Sequence, residues 1–168
     1  MVKRPIHRMD GESTRIEMDD LADEVVVTIS NNKQTVVKLL ATPMDLEDLA
    51  YGHVMCEGRG EIESIIVEGF DVIVSGEITP RPTEDLLTAA CGACTVGDIE
   101  QPMGNVGRTQ HLRGDIKLMM NSMKNSQPLF NTTGGVHGAS IFDESGKILV
   151  TREDIGRHNA FDKAVGAA

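Results

Sequence analysis

Cys91-Gly92-Ala93-Cys94 places two thiols three positions apart, and two polar segments downstream could present a substrate to them. A Cys-x-x-Cys pair can exchange disulfides, bind a metal, or let one thiol support the other as nucleophile. A structural zinc needs four ligands. Cys56 stands alone and the histidines lack finger spacing, so no metal is expected. A thioredoxin-like pair should follow a strand and open a helix. Leu86-Leu87-Thr88-Ala89-Ala90 is a poor strand, and Gly97 with Pro102 opposes a helix after it, which predicts that the cysteines sit on a loop. The first downstream segment is Thr132-Thr133-Gly134-Gly135-Val136-His137-Gly138-Ala139. Gly134 and Gly135 permit positive φ and close approach of a ligand to the backbone, with His137 immediately after. The second runs from Arg152 to Lys163. Its Arg157-His158-Asn159 would bring a guanidinium, an imidazole and free amides to the first turn of a helix, the chemistry of an anion or pterin-nucleotide site. Taken singly, these segments also read as a turn beside a core histidine and as a capped helix with solvated charges.

The elements that must position these groups are legible in part. Residues 7–23 are polar and acidic without a sustained period, and an irregular lead-in is expected there. Glu24–Ser30 and Gln34–Leu40 read as strands around an Asn31-Asn32 turn. Thr42-Pro43 followed by Asp45 has the form of a helix start with a hydroxyl cap, and Leu46, Leu49, Ala50 and His53 or Val54 form its buried stripe, ending near Gly58. Glu61–Val67 and Val72–Ile78 are two further strands. Ile116, Met119, Met120 and Met123 fall at helical spacing and predict an amphipathic helix. Leu129 and Phe130 lead into the glycine segment. Val136–Asp143 and Lys147–Thr151 read as strands around Glu144-Ser145-Gly146, and a helix is expected from Arg157 onward with Asp154 near its cap.

The composition narrows the partners. The 168 residues admit one ordinary domain or two small ones; with 3% aromatics and no Trp, the core must be built from Val, Ile, Leu and the nine Met. Net charge is −10 and unevenly spread: residues 1–100 carry 8 basic and 20 acidic side chains, and residues 101–168 carry 8 and 6. Such a chain repels nucleic acid, whereas its second half could still hold an anionic small ligand. No apolar run approaches membrane-spanning length, and Met1–Ile6 does not lead a secretory signal. Three cysteines, an odd number, argue for a reducing compartment, so a cytoplasmic protein is expected.

Together, the Cys91–Cys94 pair, Thr133-Gly134-Gly135-Val136-His137 and the Arg152–Lys163 run resemble, in order, the motifs of the formate dehydrogenase accessory sulfurtransferase family (FdhD/NarQ). Leu49-Ala50-Tyr51-Gly52-His53 with Glu57-Gly58 is similar to its earlier helix motif. The resemblance covers about residues 24–168, with Thr95 where the family usually has glycine and a third thiol, Cys56, in the helix motif. It implies a sulfur carrier that takes persulfide sulfur from a cysteine desulfurase at Cys91, with Cys94 as its neighbour, and delivers it to the molybdenum bis-molybdopterin guanine dinucleotide cofactor of formate dehydrogenase. Gly134, Gly135, His137, Arg157, His158 and Asn159 would form the cofactor-binding face. The fold expected is α/β, with α+β as the variant: a small β-rich unit over residues 1–100 ending in the cysteine loop, then a truncated cytidine-deaminase-like unit over residues 101–168. Family members continue past the Arg-His-Asn helix, and the exposed sheet edge this leaves predicts a homodimer. A zinc deaminase is disfavoured, because His137 is followed by Gly138-Ala139 rather than a His-x-Glu pattern. The alternative from another class is a non-catalytic chaperone that binds the molybdenum cofactor.

Overall fold

The structure is a computed structural model that describes residues 1–32, 34–80, 86–87 and 114–168. The chain opens with a hairpin, β1 (Val2–Asp10) and β2 (Ser13–Leu21), where an irregular lead-in was expected over 7–23. Gly11, at φ +60°, makes the turn that sets Asp10 opposite Ser13. Charge hides the strand pattern in the sequence, because ion pairs join Lys3 to Asp20 and Arg8 to Glu17 across the hairpin once the register is formed.

β3 (Val25–Asn31) and β4 (Gln34–Ala41) form the expected antiparallel pair, turned at Asn32 with φ +48°. Their alternation places Val27 opposite Leu39 and Ile29 opposite Val37, all four buried. Helix α1 (Leu46–Cys56) then carries the chain across to β5 (Gly60–Glu68) and β6 (Asp71–Ile78), an antiparallel pair. β6 adds parallel to β3, with Ile29 opposite Val72, and β7 (Leu86–Leu87) pairs in parallel with β4. The result is a mixed five-stranded sheet in the order β5-β6-β3-β4-β7. Val27, Ile29, Val37, Leu39, Val72 and Val74 pack against Leu46, Leu49 and Ala50 of α1 as one core. The predicted stripe of α1 is thus buried, but its predicted cap is not used. Asp45 precedes the helix in the left-handed region without a side-chain cap bond, and the Thr42 hydroxyl is engaged elsewhere.

Beyond the sheet come α2 (Ile116–Asn125), α3 (Pro128–Thr133), the hairpin β8 (His137–Phe142) with β9 (Ile148–Asp154), and α4 (Arg157–Gly166). Asp115 caps α2 by accepting from the Lys117 and Leu118 amides. The methionine stripe of α2 is a helix face but not a core face: Ile116 and Met120 are exposed, and Met119 and Met123 are half-buried. In the β8–β9 turn, Asp143 accepts from the Ser145 hydroxyl and amide and from the Lys147 amide. These bonds, the Ser145 hydroxyl foremost, hold its carboxyl below the usual aspartate range, so the turn keeps them as pH falls through that range and loosens only below it, where the carboxyl finally takes up its proton. The expected boundary near residue 100 lies outside the described residues. Across it, α4 packs on α1, so the parts before and after it share an interface. Among the described residues, no helix is long and apolar enough to cross a membrane.

The α1–α4 crossing is tight because it is made through glycine. A Cβ on Gly52 would lie 1.8 Å from the Asp162 carbonyl oxygen, and one on Gly166 would lie 2.0 Å from that of Asp48. Gly52→Ala therefore cannot be absorbed by a rotamer change and must push the helices apart. Its expected cost is about 2–3 kcal/mol, read from urea unfolding against wild type. Gly69→Ala, at a turn with nothing within 4 Å of its Cβ but φ +65°, should cost about 1 kcal/mol.

Candidate functional site at the β8–α4 end

His137, the first residue of β8, lies opposite Asp154, the last residue of β9, and α4 begins three residues later at Arg157. This register gathers Gly134, Gly135 and His137 with Arg157 and His158 at one end of the β8–β9–α4 unit, and all five are exposed. Gly156 precedes α4 and has no side chain to cap it, which leaves the first-turn amides open to solvent or an anion. The glycines differ in their reasons for being there. Gly134 ends α3 at φ +63°, and its amide donates to the Phe130 carbonyl at 2.7 Å, so the fold requires it. Gly135 has no left-handed φ, and a Cβ added there would lie 3.8 Å from its nearest neighbour, the Thr133 carbonyl oxygen. Neither backbone nor packing among the described residues demands glycine there.

Behind this exposed end lies a buried polar network. Asp154 and Lys163 are both fully buried, with Lys163 Nζ donating to Asp154 Oδ2 at 2.7 Å and to the Thr42 carbonyl at 2.9 Å. The same Asp154 oxygen accepts from the Thr42 amide at 2.9 Å. The other accepts from the Gly156 amide at 2.7 Å and from Asn159 Nδ2 at 3.1 Å. Asn159 Nδ2 also donates to the Leu40 carbonyl, and the Ile155 amide donates to Thr42 Oγ1 at 3.0 Å. Nearby, both Glu153 oxygens accept amides of α3, from Leu129 and Phe130, and Arg152 Nε donates to Asp48 at 2.7 Å. Glu153 thereby caps a helix that the sequence pattern did not predict, although Pro128 at its start and Gly134 at its end signal it.

Of the eight site residues expected, five converge on the surface. Asn159 is buried with its amide nitrogen committed to Leu40 and Asp154, so it faces the scaffold rather than the open end. Cys91 and Cys94 lie outside the described residues. The residues that sequence reasoning did not assign to the site are Thr42, Glu153, Asp154 and Lys163. Three of them fall inside the long charged run, but their inward direction is invisible without the fold.

A second polar cluster occupies the α1–α4 crossing. Buried His53 has Nδ1 3.2 Å from Asp162 Oδ2, and its Nε2 is enclosed without a partner among the described residues. Cys56 lies one turn further along α1, close enough to the same carboxylate to feel its charge. Although Cys56 is exposed at the surface, desolvation on its inner side, then the Asp162 charge and hydrogen bond, then Glu57, push its pKa up to about 12.

A model of the FdhD/NarQ family matches residues 22–168. The sulfur carrier protein FdhD of Thermoplasma volcanium is 33% identical, over 97% of this chain and 68% of its own length. That of Agrobacterium fabrum is 32% identical, over 86% and 60%. In fold, the chain is similar to a crystal structure from Desulfotalea psychrophila whose assigned role is that of a formate dehydrogenase accessory protein. The TM-score is 0.71 at 22% identity, over 99% of this chain and 65% of that one. The chain thus spans 60–68% of the length of these relatives.

A thiol with so high a pKa is almost wholly protonated at neutral pH and is a poor nucleophile. Cys56 should therefore be alkylated by iodoacetamide only slowly at pH 7–8, and faster as pH rises toward about 12. Asp162→Asn removes the charge that holds the proton and should speed this reaction several-fold at pH 8, read by peptide mass spectrometry of Cys56.

Proposed function

The chain belongs to the FdhD/NarQ family, and from that premise we propose that it is a sulfur carrier serving a formate dehydrogenase. Sulfur enters at Cys91. Its thiolate attacks the terminal sulfur of a cysteine desulfurase persulfide, so that the desulfurase leaves as a thiolate and Cys91 holds the persulfide. Cys94 thiolate then attacks the Cys91 sulfur, releasing hydrosulfide and closing a Cys91–Cys94 disulfide. The two thiols supply the two electrons that reduce sulfane sulfur to sulfide, and a cellular thiol reductant restores the pair. The acceptor is the molybdenum bis-molybdopterin guanine dinucleotide cofactor, carried as cargo. Its diphosphate and guanine groups meet the face made by Gly134, Gly135, His137, Arg157 and His158.

The observation that supports this reading most directly is the convergence of those five residues at the open end of α4. A guanidinium, two imidazoles and uncapped amides suit a diphosphate, and Gly135 leaves room for it. The names of the relatives support the sulfur-carrier role. The same reading places the protein in the cytoplasm as a homodimer, with the β8–β9–α4 unit as part of a cytidine-deaminase-like layer.

After incubation with an active cysteine desulfurase and cysteine, wild type should gain one reductant-sensitive sulfur atom by intact mass, Cys94→Ala should retain it, and Cys91→Ala should not. Absence of the gain in wild type would leave a cofactor-binding chaperone without sulfur transfer as the better reading. Gly135→Val should keep the melting temperature of wild type while restoring less formate dehydrogenase activity in cells that lack the endogenous carrier.

A further inference from the structure

The geometry points to Asp154 as the positioning residue of the open end of α4, acting through Thr42 and Lys163. This inference rests on the reading that Arg157 and His158 meet the nucleotide part of the cargo. Asp154 accepts the Gly156 amide at 2.7 Å, which fixes the peptide just ahead of Arg157, and accepts Asn159 Nδ2 within the first turn. Its other oxygen is held by the Thr42 amide and Lys163 Nζ, and Thr42 Oγ1 takes the Ile155 amide. The linker from β9 into α4 is therefore bound at two successive residues, Asp154 and Ile155, to one residue of the β4–α1 connection, Thr42. Asp154 and Lys163 are themselves closed to a ligand, since both are fully buried. The network's effect on a ligand is to set where the Arg157 and His158 groups stand, and a misplacement of about 1 Å is enough to weaken a preorganised site.

The test is Asp154→Asn combined with Lys163→Met. The pair of charges is removed together, so no buried charge is left alone. Asparagine offers one acceptor oxygen in place of two, so either the Thr42 or the Gly156 amide loses its acceptor. The double variant should melt within about 8 °C of wild type. It should exchange the amides of the Ile155–Gly156 turn at the start of α4, which the network holds, faster while the sheet amides keep their protection, and bind guanosine diphosphate on the order of tenfold more weakly. A folded double variant with unchanged exchange in that turn and affinity within about twofold of wild type overturns the inference. If wild type itself does not bind guanosine diphosphate, the nucleotide reading falls. The exchange pattern then decides the positioning role alone, faster exchange confined to the turn supporting it and unchanged exchange overturning it. Should the double variant not fold, Thr42→Val carries the same two measurements by removing only the bond to the Ile155 amide. Its expected loss of affinity is about threefold, and unchanged affinity and exchange count against the inference.

Discussion

Lys163 and Asp154 are both removed from water, and a charge moved into a protein interior costs several kcal/mol unless its partner and remaining hydrogen bonds are in place. Here they are in place: the carboxylate takes four donors and the ammonium reaches both the carboxylate and the Thr42 carbonyl. The constraint runs outward from this pair. Thr42 stands where β4 leaves the large sheet, Asp154 where β9 ends, and Lys163 in the middle of α4. One network therefore joins the five-stranded sheet to the β8–β9–α4 unit. A buried pair of this kind is weak evidence for stability, since apolar residues of the same volume could serve as well. Its value lies in geometry, because its bonds tie the end of β4, the end of β9 and α4 to one another.

The α1–α4 crossing supplies the second tie and works by steric exclusion. With Gly52 against the Asp162 backbone and Gly166 against Asp48, the helices approach more closely than any side chain would allow. That closeness brings Asp162 within reach of His53 and Cys56. The consequence for Cys56 is low reactivity at neutral pH, since burial of its inner side and then the carboxylate beside it favour the protonated thiol. A carrier cysteine needs the opposite environment, with the thiolate accessible. Cys56 and the Cys91–Cys94 pair thus have different duties in the proposed relay, and the third thiol need not compete for sulfur.

The run from Arg152 to Lys163 combines these effects in one stretch of chain. Glu153, Asp154, Asn159, Asp162 and Lys163 turn inward, while Arg157, His158 and Phe161 turn to solvent. Most of its charged residues hold the scaffold: Glu153 caps α3, Arg152 ties β9 to α1, and Asp162 bonds His53. In the proposed function, the outward pair at the helix start meets the cargo. A motif dense in ionisable groups can therefore be mainly structural and still end in a functional site.

Much of this was determined by local chemistry in the sequence. Strands β3, β4, β5, β6, β8 and β9, and helices α1, α2 and α4, lie where alternation, helical spacing and turn residues put them, because those patterns depend on near neighbours alone. The gathering of the Thr-Gly-Gly-Val-His and Arg-His-Asn segments at one end was implied by their family resemblance rather than by spacing. Tertiary structure decided what depends on partners far along the chain. The β1–β2 hairpin needed its register before the charges on facing strands could pair. Thr42 had the form of a helix cap, but a donor 113 residues away took its hydroxyl. The methionine face of α2 kept its spacing and was left largely exposed, since spacing makes a face apolar but only a packed neighbour can bury it. Direction is the final case: no sequence pattern distinguishes Asp154 and Lys163, which are sealed inside, from Arg157 and His158, which meet solvent. The burial of a charge is set by whether distant backbone groups arrive to replace water around it.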